Sequence, residues 1–309
     1  MEMSLKKQLE DEWFSIEHLT AKWTSLQQSP LYRRTPILVD CCDALELADC
    51  KLDLKMESLQ LGGSYKMRGV VCQMDVLRHE LSAGGYQGVV TMSAGNYGIA
   101  LSTYCAMVET CSSSRISSLL DRRQEEGWKL CHPFDDLNLI CGYGSIMFEI
   151  VEKVGEPDVI LVPAGPVAGG GLLCGVALAA RLMELPTKVF GVEMIPVDED
   201  PACKSNSILR RCASMRQMDL KGLTEKYYGE TTFRICFDCV DGILSVSEKQ
   251  ILQACSKLFA MGIIVEPFGA SALAALCAGR LPEMKSQKVV SVLSCRNVDL
   301  KELVQLNSM

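Results

Sequence analysis

The sequence predicts an α/β protein built around a mostly parallel sheet, and three observations predict it. Short apolar runs alternate with stretches of helical periodicity along most of the chain. Several of the runs are apolar at every position, as strands buried on both faces must be. Two of them pass straight into small-residue or glycine-rich turns that open helices, the join a parallel strand makes with its crossover.

The elements follow in order. Residues 4–27 carry Leu5, Leu9, Trp13, Ile16, Leu19, Trp23 and Leu26 at helical spacing, as one amphipathic helix or two short ones. Ser29-Pro30 ends that pattern. The turn Arg34-Thr35-Pro36 follows, then β-like runs at 36–40 and 51–56. A strand at 88–92 leads to a helix at 96–107, and a strand at 129–132 leads to a helix at 145–154. The fully apolar strand 159–162 precedes a helix at 172–183, and a further strand spans 188–192. In the helical stretch 246–258, Ser247 stands three residues before Gln250, which suits a capping box. A helix at 270–278 and an apolar strand at 289–293 complete the series. There is no internal repeat or low-complexity tract. The stretch 197–221 is polar, charge-rich and the least structured in pattern.

Composition narrows the function. The chain has 309 residues, 48% hydrophobic and 22% charged, enough for two compact lobes or one large domain with a substantial core. A net charge of −7, without a basic patch interleaved with aromatics, argues against nucleic acid as a partner. No apolar run approaches the roughly 20 residues of a membrane helix. The polar, acidic first dozen residues lack the pattern of a secretory signal or transit peptide, so a cytoplasmic location is expected. The 16 cysteines are dispersed between Cys41 and Cys295, unlike a disulfide framework or a zinc site. Cys236 and Cys239 form a C-x-x-C without a second ligand pair and are expected to be buried thiols. His18, His79 and His132 lie far apart, which leaves a histidine metal site without local support.

Four segments could carry chemistry. In Gly62-Gly63-Ser64-Tyr65-Lys66-Met67-Arg68-Gly69 a lone lysine sits among small and aromatic residues. Taken alone it reads as a surface turn, unless desolvation activates the amine. In Val89-Val90-Thr91-Met92-Ser93-Ala94-Gly95-Asn96-Tyr97-Gly98 a strand runs through a small-residue turn into a helix, either an anion site or a plain turn capped near Asn96. In the stretch 159–172 a buried strand ends in Gly165-Pro166-Val167-Ala168-Gly169-Gly170-Gly171-Leu172. Consecutive glycines let backbone amides approach a phosphate, and neither a dinucleotide nor a Walker signature is present. Last, Val292-Leu293-Ser294-Cys295-Arg296-Asn297 ends a strand in a hydroxyl residue.

Taken in order, these segments resemble the fold-type-II enzymes of pyridoxal phosphate (PLP), the serine and threonine dehydratases and serine racemase. Arg34-Thr35-Pro36 resembles the family's R-T-P opening. Lys55, Glu57, Gln60, Ser64, Lys66, Arg68 and Gly69 resemble K-x-E-x-x-Q-x-x-S-F-K-x-R-G. Ser93-Ala94-Gly95-Asn96, His132-Pro133-Phe134-Asp135-Asp136, Gly169–Leu172, Gly191-Val192-Glu193, Val265-Glu266-Pro267-Phe268-Gly269-Ala270, and Ser294 with Asn297 continue the series. Any one motif is weak; their shared order is specific.

The resemblance implies a tryptophan-synthase-β-like fold, with a large parallel-sheet domain (1–85 and 142–309) and a shortened small α/β domain (86–141). It implies that Lys66 forms the Schiff base with PLP. Tyr65 stacks near the ring, Asn96 binds the ring hydroxyl, and Ser294 faces the pyridine nitrogen. The amides of Gly165, Gly169, Gly170, Gly171 and Leu172 hold the phosphate, with Glu266 nearby. Ser93, Ala94, Gly95 and Tyr97 line the substrate carboxylate site. A divalent or monovalent cation is implied at Glu193, Glu199 and the carbonyl of Val197; the competing reading of those glutamates is solvated loop charge. The implied activity is loss of water and ammonia from L-threonine or L-serine, with a homodimer as the expected assembly.

Several positions depart from the family pattern. Only 108–128 separate the Asn96 helix from the next strand, where the family places two more strand–helix units. Pro166-Val167-Ala168 interrupts the glycine loop, Cys295-Arg296 replaces Gly-Gly, and Tyr97 and Tyr143 replace His and Gln. Ala94 stands where racemases carry the serine that acts as second acid, which disfavours racemisation. The chain runs only a few residues past Asn297, so the regulatory domain of biosynthetic threonine dehydratases is not expected. Two alternatives stay open: a serine racemase-like isomerase, and a catalytically impaired PLP-binding relative or partner subunit.

Overall fold

The computed structural model describes residues 15–47, 51–93, 95–108, 116–118, 127–164, 169–195, 229–281 and 287–299. In chain order the main elements are α1 (Ile16–Gln28), β1 (Ile37–Leu38), β2 (Lys51–Lys55), α2 (Lys66–Ser82), β3 (Gly88–Thr91), α3 (Asn96–Val108), β4 (Ile116–Ser118), β5 (Trp128–Leu130), α4 (Leu137–Val154), β6 (Val159–Pro163), α5 (Gly171–Leu182), β7 (Lys188–Ile195), α6 (Glu230–Cys239), β8 (Gly242–Ser247), α7 (Glu248–Ala260), α8 (Pro267–Cys277) and β9 (Lys288–Val292). Two sheets are formed. The larger has the order β1-β2-β9-β6-β7-β8, and the smaller β4-β3-β5. Every pairing is parallel except the antiparallel β1–β2 edge.

Period-two geometry explains how the apolar strands fill both faces. In β6, Ile160 and Val162 belong to one hydrophobic cluster, while Val159 and Leu161 belong to the other. β9 and the residue after it divide in the same way, with Val290 and Val292 on one side and Val289 and Leu293 on the other. Helices α2, α4 and α5 supply the first cluster, and α7 and α8 the second. Burying each such side chain contributes roughly 1.5–3 kcal/mol, so a polar substitution in β6 would cost more than any surface change.

Close helix packing depends on glycine. A Cβ at Gly69 in α2 would lie 2.5 Å from Tyr143 Cε1, and one at Gly142 in α4 would lie 2.6 Å from the Arg68 carbonyl oxygen. Gly175 of α5 faces the Ile140 carbonyl at 2.5 Å in the same sense. α7 begins with the expected capping box, in which Ser247 and Gln250 satisfy each other's backbone amides.

The expected order of elements agrees with the structure, with differences in extent. α4 starts at Leu137, eight positions before the expected 145, because Asp136 caps it by accepting from Leu139 N at 2.9 Å. α2, α6, β4 and β8 have no counterpart in the sequence expectation. The first half of the expected N-terminal helix and the polar stretch 197–221 lie outside the described residues.

Candidate active site

The site lies at the carboxyl ends of the strands, where ligands of open parallel sheets sit. A cavity of about 680 Å³ is lined by Tyr65, Lys66, Ser93, Asn96, Phe134 and Glu266, among others. The turns after β3 and β5 and the N-terminal ends of α2, α3 and α8 build its walls.

Lys66 is the first residue of α2 and is only 7% exposed, so the solvated-turn reading is wrong. Burial pushes its pKa down to about 8. Its Nζ donates to the Pro133 carbonyl at 3.0 Å, and among the described residues it makes no ion pair. The backbone just before it is tied to the turn after β9. Tyr65 N donates to the Ser294 carbonyl at 3.1 Å, and Ser64 bridges Cys295.

Two residues beyond the lysine, Arg68 enters a buried group of four charges. Its Nε and Nη2 donate to Glu57 Oε2 and Oε1 at 2.7 and 2.9 Å, and Nη1 donates to Glu149. Lys55 Nζ donates to Glu149 Oε2 and to the Thr35 carbonyl at 2.8 Å. The motif residues Lys55, Glu57 and Arg68 are therefore structural anchors of the lysine-bearing helix. Glu149 was missed in the sequence, although it is a lone carboxylate within the apolar run Ile146-Met147-Phe148-Glu149-Ile150. Burial opposes its charge, but Arg68 and Lys55 outweigh that and hold its carboxyl at about 2.

Asn96 opens α3 with both ends of its amide engaged. Its Nδ2 donates to Glu266 Oε1 at 2.7 Å, and its Oδ1 accepts from Asn297 Nδ2 at 2.6 Å. Asn297 also donates from Nδ2 to the Gly62 carbonyl at 2.9 Å and from its backbone to Glu266 Oε2 at 3.1 Å. Gly63 must be glycine here: φ is +73°, and a Cβ would sit 2.2 Å from Asn297 Oδ1.

The glycine turn packs against Phe134, which lines the cavity, while Gly169, Gly170 and Gly171 are not themselves among the lining residues. Gly169 and Gly170 adopt φ of +61° and +74°, and α5 begins at Gly171 without a side-chain cap. Among the described residues no side chain caps its first backbone N–H groups, an arrangement that suits an anion. A Cβ on Gly169 would lie 2.0 Å from Phe134 Cγ, so the Phe134 ring packs on the turn while its neighbour Pro133 meets Lys66. His132 shapes this connection, which sequence reading did not foresee. Its Nδ1 accepts from Asp135 N at 2.8 Å, and burial lowers its pKa, consistent with a neutral acceptor.

Ser294 is fully buried just after β9, with its Oγ 3.1 Å from Cys295 Sγ. Ser93, Gly95 and Tyr97 line the cavity, and Leu172 is buried at the start of α5. Ala94 and Gly165 lie outside the described residues, as do Val197 and Glu199 of the expected cation site. Glu193 is buried in β7, and no cluster of three or more His, Cys, Asp or Glu that could hold a metal exists among the described residues. Cys236 and Cys239 are buried free thiols. No helix of the described residues is long and apolar enough to cross a membrane.

These residues fit pyridoxal phosphate. A desolvated amine and an oriented amide line one cavity, and left-handed glycines before an uncapped helix pack against its Phe134 wall. Two buried hydroxyls beside the amine, those of Tyr65 and Tyr143, have no hydrogen-bond partner among the described residues.

Comparison with known proteins agrees. The family model for pyridoxal-phosphate dependent enzymes matches residues 28–113 and 112–294. A serine racemase of Dictyostelium discoideum is 32% identical over 88% of this chain and 92% of its own length. A catabolic L-threonine dehydratase of Escherichia coli (strain K12) is 30% identical over 82% of this chain and 84% of its own length. A solved threonine deaminase, that of T.th., superposes with a TM-score of 0.71 at 30% identity, covering 93% of this chain and 99% of the other. The chain therefore belongs to the fold-type-II family of pyridoxal-phosphate dependent enzymes, whose members include serine racemases and threonine dehydratases.

Proposed function

We propose that this chain eliminates water from L-threonine or L-serine, giving 2-oxobutanoate or pyruvate and ammonia. The observation that carries the reading is the buried, deprotonation-prone Lys66 amine in the cavity, in a chain with alanine at position 94. Bound PLP would supply the electron sink for the charge left at Cα. Lys66 would remove the Cα proton as general base, a role its pKa of about 8 suits at neutral to mildly alkaline pH. Ser93, Gly95 and Tyr97 would orient the substrate carboxylate, and the Gly169, Gly170 and Gly171 amides would hold the phosphate. Asn96 would hydrogen-bond the ring hydroxyl, and the neutral hydroxyl of Ser294 would meet the pyridine nitrogen. A neutral partner there favours β-elimination over transamination. Ala94 has no proton to deliver from the opposite face, as a racemase would require.

Purified protein supplied with PLP is expected to release 2-oxo acid from L-threonine or L-serine, measured by coupled reduction. Lys66→Ala is expected to lose both that activity and the visible absorbance of bound PLP. No 2-oxo acid from either substrate would sink the proposal. The serine racemase relatives favour a second reading, isomerisation, which D-serine without 2-oxo acid would support. The proposal includes a cytoplasmic homodimer and a separate small lobe at 86–141, to be tested by fractionation, sedimentation and limited proteolysis.

A further inference from the structure

We infer that Tyr65, Tyr97 and Tyr143 form an aromatic box that stabilises the protonated form of the Lys66 amine. Their ring centroids lie 5.0, 5.9 and 5.7 Å from Nζ. At these distances the negative faces of the rings attract an ammonium. The rings come from three separate elements: the residue before α2, the first turn of α3, and α4. All three are buried.

The box is held in place by specific contacts. Tyr65 and Tyr143 meet edge-on with centroids 4.8 Å apart. Tyr97 Oη donates to Gln73 Oε1 at 2.5 Å, which fixes its ring. Tyr143 fills the space left by Gly69, where a Cβ would lie 2.5 Å from its ring. Two of the three positions, 97 and 143, are among those where this sequence departs from the family pattern, and they converge on one amine.

The other groups around Lys66 leave the rings a role. The Pro133 carbonyl accepts one hydrogen bond, the Cys295 thiol lies near, and half-buried His132 disfavours a second cation. Glu266 is on the cavity wall, but its carboxylate is engaged by Asn96 and Asn297. No ion pair to Lys66 exists among the described residues. Burial works against the ammonium, and the ring faces work for it. In the reaction the amine lone pair takes the Cα proton and the C–H electron pair stays on the substrate. The box would then hold that proton on Nζ without a carboxylate partner.

The inference rests on Lys66 as the residue that binds PLP. The test follows capture of PLP by the cofactor-stripped full chain across pH, read by visible absorbance. Only the neutral amine attacks, so the rate midpoint reports Lys66. Tyr143→Leu is expected to lower the midpoint by about half to one and a half pH units, and below both midpoints to capture about 3- to 30-fold faster. Tyr143→Phe keeps the ring face and is expected to keep the midpoint. An unmoved midpoint in Tyr143→Leu, or an equal shift in Tyr143→Phe, overturns the box. If Tyr143→Leu does not fold, Tyr97→Leu against Tyr97→Phe makes the same comparison from another helix. Failure of the wild-type chain to gain absorbance overturns instead the assignment of Lys66, and the box with it.

Discussion

Replacing Glu149 with glutamine removes one anion from a buried group whose charges balance. Lys55 and Arg68 face Glu57 and Glu149, all with side chains at most 1% exposed. Glu149 accepts from Arg68, Lys55, Tyr32 Oη at 2.6 Å and Thr35 N at 3.3 Å. The glutamine variant leaves two buried cations against one carboxylate and turns a donor toward one of them. Breaking such a group by removing one partner costs about 3–5 kcal/mol. Glu152→Gln is the control: its partner Arg34 and Glu152 itself are both about half exposed, and such a pair is worth about 0–1 kcal/mol. Denaturant unfolding can be followed by Trp23 fluorescence. That ring stacks on Phe148, the neighbour of Glu149, with centroids 5.7 Å apart. The double variant Lys55→Met/Glu149→Met restores neutrality and should cost less than the sum of its single changes. Acid tests the same reasoning. The Glu149 carboxyl is held at about 2, against 4.5 when unperturbed, so its contribution is complete above 4.5 and is lost as pH falls through about 2. The gap between wild type and Glu149→Gln should therefore shrink over that range. A Glu149→Gln penalty no larger than that of Glu152→Gln would refute the argument.

Other outcomes follow from the same structure. In the cofactor-free protein, Lys66→Met removes a buried amine whose folded pKa, about 8, lies below its ordinary 10.5. The folded state binds fewer protons between those values, so wild-type stability rises with pH there. The variant should melt higher than wild type at pH 7, and by a smaller margin at pH 10. Gly142→Ala places a methyl 2.6 Å from the Arg68 carbonyl oxygen and should cost about 1–3 kcal/mol with weaker PLP binding, read by unfolding and by absorbance titration. Ser247→Ala removes half of the capping box on α7 and should cost about 1 kcal/mol with PLP affinity unchanged.

The strands were legible because a parallel sheet covered on both faces demands apolar residues at every position, as in Val159-Ile160-Leu161-Val162. The capping box was legible because its two members lie three residues apart. Helix α2 was not. Its sequence mixes glycine, valine and polar residues, and its helical state depends on burial against α4 through Gly69 and Gly142. Small-sheet strand β4 was likewise missed: it is three residues long and gains its place only by pairing with β3. Of the site, the motif residues were visible, but their division of labour was not. Lys55, Glu57 and Arg68 share a motif with Lys66, yet the structure makes them anchors of its helix.

By itself the sequence determined the order of most strands and helices, the family, and the residues of the short motifs. Those properties are local, set by spacing, propensity and short motifs. Tertiary structure alone decided that Lys66 is buried, that Glu149 meets Arg68 from 81 residues away, and that three tyrosines surround one amine. Desolvation and charge compensation belong to the space a side chain occupies, and that space is made by segments distant along the chain.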